Sequence, residues 1–157
     1  MEFEIVKVLL LITILRWSIM EIREMNIKDY DKVYDIWDKA DIILKKSDQK
    51  NEIDRMIKRN PYTCLVGEID NKIVAAVMGG FDGRRGYVHH LAVKPELQKQ
   101  GLGRAMMDEL MKRFEELKVI KVHLFVEHRN EKVKEFYRKI GFEERTDLTD
   151  FSKTLRK

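Results

Sequence analysis

The sequence predicts one α+β domain with a mixed central sheet. From residue 20 onward, short runs rich in β-branched and apolar residues alternate with longer runs that have the periodicity of amphipathic helices. No internal repeat is visible, and no proline- or serine-rich linker divides the chain. A chain of 157 residues can bury one substantial core and is too short for two comfortable domains.

The first half of the domain is predicted to hold three strands and two helices. In chain order these are a strand at 20–24, a helix at 29–40, a helix at 50–59, and strands at 62–69 and 72–78. Asn26 or Asp29 can cap the first helix. Pro61 ends the second, because a residue before proline avoids helical geometry. Asp70 and Asn71 tolerate positive φ and predict a two-residue hairpin turn.

The second half continues the alternation after a glycine-rich connection at 79–86. The predicted elements are a strand at 87–93, a helix at 102–118, a strand at 119–126, a helix at 131–140 and final strands from Phe142 onward. The helix at 102–118 repeats apolar residues on one face, which predicts that this face is buried. Gly141 predicts a left-handed end to the last helix.

Residues 1–19 do not fit this pattern. Residues 8–15 are apolar apart from one threonine, but Lys7 and Arg16 bracket them. That leaves far fewer than the ~20 apolar residues that a membrane-spanning helix needs. We therefore expect no integral membrane span, and a domain at 20–157 preceded by an apolar extension of uncertain status. The favoured interpretation is that Met20 is the natural first residue or that the preceding segment is a loosely packed extension. A membrane-surface anchor, and an element that docks on the domain or on a second subunit, stay open as alternatives.

Composition narrows the function classes. The net charge of +4 is spread along the chain without a block of five like charges, which argues against a nucleic acid partner. Cys64 is the only cysteine, so the chain can form neither an internal disulfide nor a cysteine-based metal site. A reducing, cytoplasmic setting is the default for such a chain, and we expect no metal.

A glycine-bearing turn between the strand at 87–93 and the helix at 102–118 is the strongest functional signal. Its sequence is Gln98-Lys99-Gln100-Gly101-Leu102-Gly103-Arg104. Amides at the start of a helix lack intrahelical partners and carry partial positive charge, so such a turn suits a diphosphate. The nucleotide-triphosphate P-loop does not fit, because no Lys-Ser or Lys-Thr follows the second glycine. The dinucleotide fingerprint lacks its first glycine.

This turn resembles the Gln/Arg-x-x-Gly-x-Gly/Ala signature of the GNAT N-acetyltransferases, which holds the pyrophosphate of coenzyme A. Two further stretches match that family: a strand with its exit before the turn, and a second motif that follows Asn130. They are Leu91-Ala92-Val93-Lys94-Pro95 and Phe136-Tyr137-Arg138-Lys139-Ile140-Gly141-Phe142. The resemblance covers residue 20 to the C-terminus. It implies a three-layer fold with a mixed, mostly antiparallel sheet flanked by about four helices.

The resemblance also implies acetyl-CoA as the acyl donor and a place for it. The pantetheine arm would pair with backbone at Leu91 and Val93, with Ala92 between them, as an added strand does. A bulge in this strand would free an amide for the thioester oxygen. The diphosphate would lie on the amides of residues 98–104. Asn130 would contact the pantetheine or acetyl region, and its alternative role is to cap the helix that follows.

Tyr137 matches the tyrosine that protonates the leaving thiolate in this family. A phenol with a pKa near ~10 stays neutral at physiological pH and can donate to a thiolate whose conjugate acid has a pKa near ~8.5. The alternative role of Tyr137 is packing on the apolar face of its helix. Since phenylalanine would suffice for packing alone, the hydroxyl favours the acid role.

The resemblance favours His89 as the general base, because some small-molecule amine acetyltransferases of the family carry histidine at that position. A structural histidine on a half-buried strand is the alternative. Adjacent strand residues face opposite sides of a sheet, so at most one of His89 and His90 is expected to face the cleft. Glu127 and His128 are the other candidate bases.

These observations predict an acetyl-CoA-dependent N-acetyltransferase that acts on a primary amine by direct attack on the thioester. The acceptor is either a small amine or a protein lysine or N-terminus, and a homodimer is compatible with the family. A non-catalytic acyl-CoA-binding sensor is the alternative. A basic interaction module is disfavoured, because clustered basic and aromatic residues are lacking.

Overall fold

A computed structural model of the protein describes residues 2–17 and 20–156. The chain divides into two compact units, Met1–Phe125 and Val126–Lys157. The elements in order are α1 (Glu2–Trp17), β1 (Glu21–Glu24), α2 (Tyr30–Lys39), α3 (Lys50–Arg59), β2 (Cys64–Ile69), β3 (Lys72–Phe81), β4 (Gly86–Val93), α4 (Leu102–Glu116), β5 (Val122–Leu124) and α5 (Glu131–Lys139). Short 3-10 turns occupy Ile27–Asp29, Lys46–Asp48 and Pro95–Leu97.

The first unit is built on one five-stranded sheet in the order β1-β2-β3-β4-β5. The first four strands pair antiparallel, and β4 pairs with β5 in parallel, which confirms the mixed, mostly antiparallel sheet. Asp70 and Asn71, with φ of 50° and 59°, form the two-residue turn between β2 and β3. Positive φ at both central residues matches the twist of a tight hairpin and confirms the predicted turn.

Helices cover both faces of this sheet. One face packs against α2 and α3 in a core that includes Trp37, Ile53 and Met78. The other face lies against α4: a Cβ added at Gly79 would meet Leu110, and one added at Gly86 would meet Phe114. Met78 and Gly79 thus point to opposite sides, as the pleat of β3 requires.

The N-terminal extension is helical as far as Trp17, and the described side chains at 3–11 are exposed although most of them are apolar. Residues 18 and 19 lie outside the described part of the chain. Across the described residues, no helix combines the length and apolarity required to cross a bilayer.

The second unit contains α5, followed by Gly141 with a φ of 94°, which confirms the left-handed helix end. The prediction of final strands from Phe142 onward is wrong for the described residues: no strand forms at 142–156. Five polar residues occupy 143–147, so no alternating apolar face fixes a strand there. The predicted strand at 119–126 shortens to β5, since Ile120 and Phe125 are exposed rather than buried.

Candidate functional site

Strand β4 contains a bulge at its centre. His89 pairs with Met78 and Ala92 pairs with Ala76, so two residues of β4, His90 and Leu91, lie opposite a single residue of β3. His90 has a φ of 47°, in the left-handed region that non-glycine residues rarely adopt. A bulge at the position that the family resemblance implied is therefore present in the structure.

The bulge brings two histidines to the same face of the sheet. The His90 ring lies edge-on to Trp37 of α2, with ring centroids 5.0 Å apart. A Cβ added at Gly80 would lie 3.7 Å from Met56 of α3 and 3.8 Å from Nε2 of His89. Both rings thus lie on the face covered by α2 and α3. The strict alternation on which the expectation for His89 and His90 was based does not hold here, because the left-handed residue interrupts it.

Asp48 is the polar partner of this face. Its Oδ1 lies 2.7 Å from Nε2 of His90, and its Oδ2 accepts a hydrogen bond of 2.7 Å from the backbone N–H of Lys45. The Tyr30 hydroxyl donates to the backbone carbonyl of Asp48 over 2.8 Å. Asp48 is only 7% exposed. The 3-10 turn before α3 is therefore tied to both β4 and α2 through this one residue.

His89 lies beside a row of rings. Its ring stacks on that of Tyr87 at 6.4 Å between centroids, and Tyr87 stacks on His123 of β5 at 5.8 Å. Although His89 is exposed to solvent, desolvation by the surrounding protein lowers its pKa, His90 lowers it further, and Asp48 opposes the shift. A lowered pKa increases the neutral, proton-accepting fraction of the ring near pH 7.

The far edge of β4 is open beyond Val88. Within the described residues, β4 pairs with β5 only over Gly86 to Val88, whereas its pairing with β3 runs on to Val93. The segment 89–93, which includes Leu91 and Ala92, therefore presents an edge where an extended chain can add. The Gln98 side chain donates to the backbone carbonyl of Val93 over 3.0 Å and ties the following turn to the end of this edge.

The turn that opens α4 has the geometry expected of an anion cradle. Lys99 and Gly101 have φ of 58° and 78°, so two left-handed residues flank Gln100. Leu102 is the first helical residue, and the N–H of Ala105 is the first to bond back, to the Gly101 carbonyl at 3.0 Å. In the described part of the chain, the amides of residues 101–104 have no backbone acceptor. These donors, at a helix N-terminus, suit a diphosphate.

The residues at the start of α4 differ in their contacts and exposure. The Nε–H of Arg104 is shared between the two carboxylate oxygens of Asp108, at 2.8 and 3.0 Å, one helical turn further on. Leu102 is buried, so it anchors the turn in the core. Gly103 lies in the first turn of α4, where the lack of a Cβ keeps the approach to the amides open.

The second unit holds the remaining predicted residues. The side chain of Asn130 accepts a hydrogen bond of 3.4 Å from the N–H of Val133, so it caps α5. Tyr137 is half-buried between Phe136 and Phe142, with ring centroids at 5.2 and 5.6 Å. Burial raises the pKa of Tyr137 to about 12, so its hydroxyl stays protonated and able to donate.

Neither Asp48 nor the paired His90 was predicted to belong to the site. Asp48 lies in a loop, 42 residues before His90, and no local pattern links the two. The two adjacent histidines in β4 pointed to this part of the strand. Strict alternation of side chains, however, assigned only one of them to the cleft, because the sequence does not show the bulge directly. In the described residues no cluster of histidine, cysteine or acidic side chains has the arrangement of a metal site.

An open strand edge that leads into an amide-lined helix start is a geometry that suits an extended, phosphorylated carrier. The model of the acetyltransferase (GNAT) family matches residues 21–142. An acetyltransferase of Pectobacterium atrosepticum is 33% identical over 124 residues, which cover 79% of this chain and 88% of that protein. The chain belongs to the GNAT acetyltransferase family.

Solved structures share the fold. Ard1 from Thermoplasma volcanium matches with a TM-score of 0.73 and 24% identity, over 80% of this chain and 83% of that chain. The PaiA N-acetyltransferase from Thermoplasma acidophilum, solved in complex with coenzyme A, matches with a TM-score of 0.72 and 20% identity, over 82% and 92%. The protein is thus an N-acetyltransferase of α+β fold, from a family that uses acetyl-CoA as its acyl donor.

Proposed function

We propose that the protein transfers the acetyl group of acetyl-CoA to a primary amine by direct attack of the amine on the thioester. The acceptor is a small amine, or a lysine or N-terminus of a protein. The observation that carries this proposal is that the open edge of β4 at 89–93 leads directly to the amides at 101–104, which have no backbone acceptor in the described residues. An extended pantetheine arm and a diphosphate need these two features in this order.

The groups that we assign to acetyl-CoA binding are mainly backbone groups rather than side chains. We assign the pantetheine arm to the edge of β4 at Leu91 and Val93, and the diphosphate to the amides of residues 98–104. Because Gln98 bonds the Val93 carbonyl, that carbonyl is satisfied within the protein and the Val93 N–H is the group left for the arm. Bound acetyl-CoA supplies an activated acetyl carbon; the protein has to hold it still and move protons.

Two proton transfers complete the reaction. The amine nitrogen bonds to the acetyl carbon as the carbon–sulfur bond breaks, one proton leaves the nitrogen, and one proton reaches the thiolate. Tyr137 is assigned the second transfer, which its raised pKa of about 12 supports by keeping the hydroxyl protonated. His89 is the acceptor of the first proton predicted from the sequence, and its lowered pKa is compatible with that role.

The cytoplasm, where acetyl-CoA is available, is the setting that we assign to the protein, and a homodimer remains a prediction. Light scattering on the purified chain decides the oligomeric state: twice the mass of 18.8 kDa is expected for a dimer. A mass of one chain would contradict it.

The test of the proposed function is release of free thiol from acetyl-CoA with a panel of amines, polyamines, amino acids and peptides. We expect release above background with at least one class of acceptor. Tight acetyl-CoA binding without release for any acceptor would instead indicate a sensor that holds the cofactor without turnover.

Gly103→Glu tests the cradle directly by calorimetric titration with acetyl-CoA. We expect no measurable binding, because a carboxylate would lie against the diphosphate. The variant should still fold, since an acidic residue in the first turn of a helix is favourable. Thr146→Glu, which adds the same charge at an exposed position outside the cradle, is the matched control and should bind normally. Binding retained by Gly103→Glu would mean that the diphosphate lies elsewhere.

A further inference from the structure

The bulge in β4 presents a histidine–carboxylate pair that motif matching did not reveal. We infer that His90, oriented by Asp48, is the group that accepts the proton of the acceptor amine. The inference rests on the proposed acetyl transfer. It replaces the sequence-based assignment to His89 with the neighbouring residue on the same face.

The hydrogen bond between the two side chains fixes the tautomer of His90. An ionised carboxylate can only accept, so Nε2 of His90, 2.7 Å from Oδ1 of Asp48, must carry a proton. In the neutral ring the lone pair then lies on Nδ1. Among the described residues, no hydrogen bond reaches Nδ1, and 23% of the surface of the His90 side chain is exposed to solvent. Nδ1 is therefore the ring nitrogen left to accept a proton, and the imidazolium that results is stabilised by the carboxylate bonded to Nε2.

Contacts from two elements, the turn before α3 and helix α2, hold the pair in place. The second oxygen of Asp48 is engaged by the N–H of Lys45, and the Tyr30 hydroxyl holds the backbone of the same residue. The Trp37 ring packs edge-on against His90, and its own buried N–H has no hydrogen-bond partner in the described residues, so this contact is one of packing alone. A general base needs such a fixed orientation toward its substrate.

His89 lacks this support. Its recorded ring contact is a stack on Tyr87, and no carboxylate bonds to it in the described part of the chain. The titratable groups next to His90 are Asp48, whose carboxylate bonds Nε2, and His89 from its own strand. Tyr30 of α2 contacts the backbone carbonyl of Asp48. Of these groups, only Asp48 places a carboxylate on the His90 ring.

The position of His90 in the strand also fits the role. It is the left-handed residue of the bulge and directly precedes Leu91, where the pantetheine arm is assigned. Residues held in sparsely populated backbone regions concentrate at active sites, where surrounding contacts maintain them. The competing explanation is that the pair only clamps the bulge. A test must therefore separate a proton acceptor from a clamp.

The variant His90→Gln distinguishes a proton acceptor from a residue that only clamps the bulge. Glutamine can still donate an N–H to Asp48, so the clamp is kept while the proton-accepting nitrogen is lost. With the panel amine that gives the highest rate, we expect kcat to fall by about 10²–10⁴-fold, with acetyl-CoA affinity within about twofold of wild type. The residual rate should rise about tenfold per pH unit from pH 7 to 9, as the amine loses its proton to solvent. His89→Gln should lower kcat at least tenfold less.

Asp48→Asn probes the orientation. The Lys45 N–H requires an acceptor, so the amide oxygen should face it and the NH₂ group should face Nε2 of His90. Nε2 must then accept, which moves the ring proton to Nδ1 and blocks it as a base. We expect a loss of kcat comparable to that of His90→Gln. Nitrogen-15 NMR of histidine-labelled protein should show the Nε2–H tautomer in wild type and the Nδ1–H tautomer in the variant.

The outcomes separate this inference from the proposed function. Full activity of His90→Gln, or a larger loss in His89→Gln, would overturn the inference and leave acetyl transfer standing. The Nδ1–H tautomer in the wild-type protein would overturn it without any acceptor. Absence of turnover with every amine would refute the proposed function and, with it, the role of His90.

Discussion

A methyl group added at Gly79 should be far more damaging than one added at Gly80. The two glycines are neighbours in β3 and face opposite sides of the sheet. A Cβ at Gly79 would lie 2.5 Å from the Thr63 carbonyl oxygen and 2.6 Å from Cδ1 of Leu110. A Cβ at Gly80 would meet nothing closer than Cε of Met56 at 3.7 Å, which is ordinary contact.

The clash at Gly79 has little room to relax. The Gly79 N–H donates to the Thr63 carbonyl over 2.9 Å, and the Thr63 hydroxyl donates back to the Gly79 carbonyl over 2.8 Å, so backbone faces backbone. Leu110 is fully buried. Overpacking at such a site costs about 3 kcal/mol, at the upper end of the usual range. Gly80→Ala should instead gain about 0.5 kcal/mol, because alanine restricts the unfolded chain.

Urea unfolding measures this difference. With a slope of about 2 kcal/mol per molar urea, Gly79→Ala should lower the midpoint by roughly 1.5 M, whereas Gly80→Ala should leave it unchanged or slightly higher. Equal midpoints for the two variants would refute the assignment of faces along β3. They would also refute the placement of His89, because its Nε2 lies beside the Cβ position of Gly80.

The remaining predictions concern the N-terminal extension and Tyr137. A protein that starts at Met20 should melt within about 2 °C of the full chain in circular dichroism and keep its thiol-release activity, because the described side chains at 3–11 are exposed; a drop of several degrees would mean that α1 packs on the domain. Tyr137→Phe should lower kcat by about 10²–10⁴-fold without changing acetyl-CoA affinity. Because the pKa of Tyr137 is raised to about 12, titration of this group should not reduce wild-type activity below about pH 10. Unchanged kcat in Tyr137→Phe would assign the residue to packing.

Local rules predicted most elements of the first unit and the start of α5 in the second. The hairpin turn at Asp70 and Asn71, the start of α4 at Leu102 and the cap at Asn130 each follow from residues within a few positions. The missing strands after Phe142 show the limit of such reasoning. A strand needs a partner edge and a buried face, and the polar run at 143–147 supplies no buried face.

The geometry of the turn before α4 was predictable for the same local reason, whereas the geometry around His90 was not. Gly101 has a left-handed backbone conformation, which its residue type predicts because glycine adopts positive φ readily. His90 also has a left-handed conformation, although it is not a glycine. Contacts with Trp37 and Asp48 hold it there. Contacts between elements far apart in sequence create this geometry, so no pattern within β4 alone could have revealed it.

The bulge accounts for both halves of the proposed chemistry. One extra residue in β4 interrupts the alternation, which places His90 beside His89 on the face covered by α2 and α3. On the other edge of the strand, pairing with β5 stops at Val88, just before the bulge, so the segment that follows is open to an added chain. An acceptor amine and an extended acyl carrier must meet at one point, and His90 is the residue where the proton-accepting face and the open edge of β4 coincide. The same local irregularity therefore assembles the two sides of the reaction.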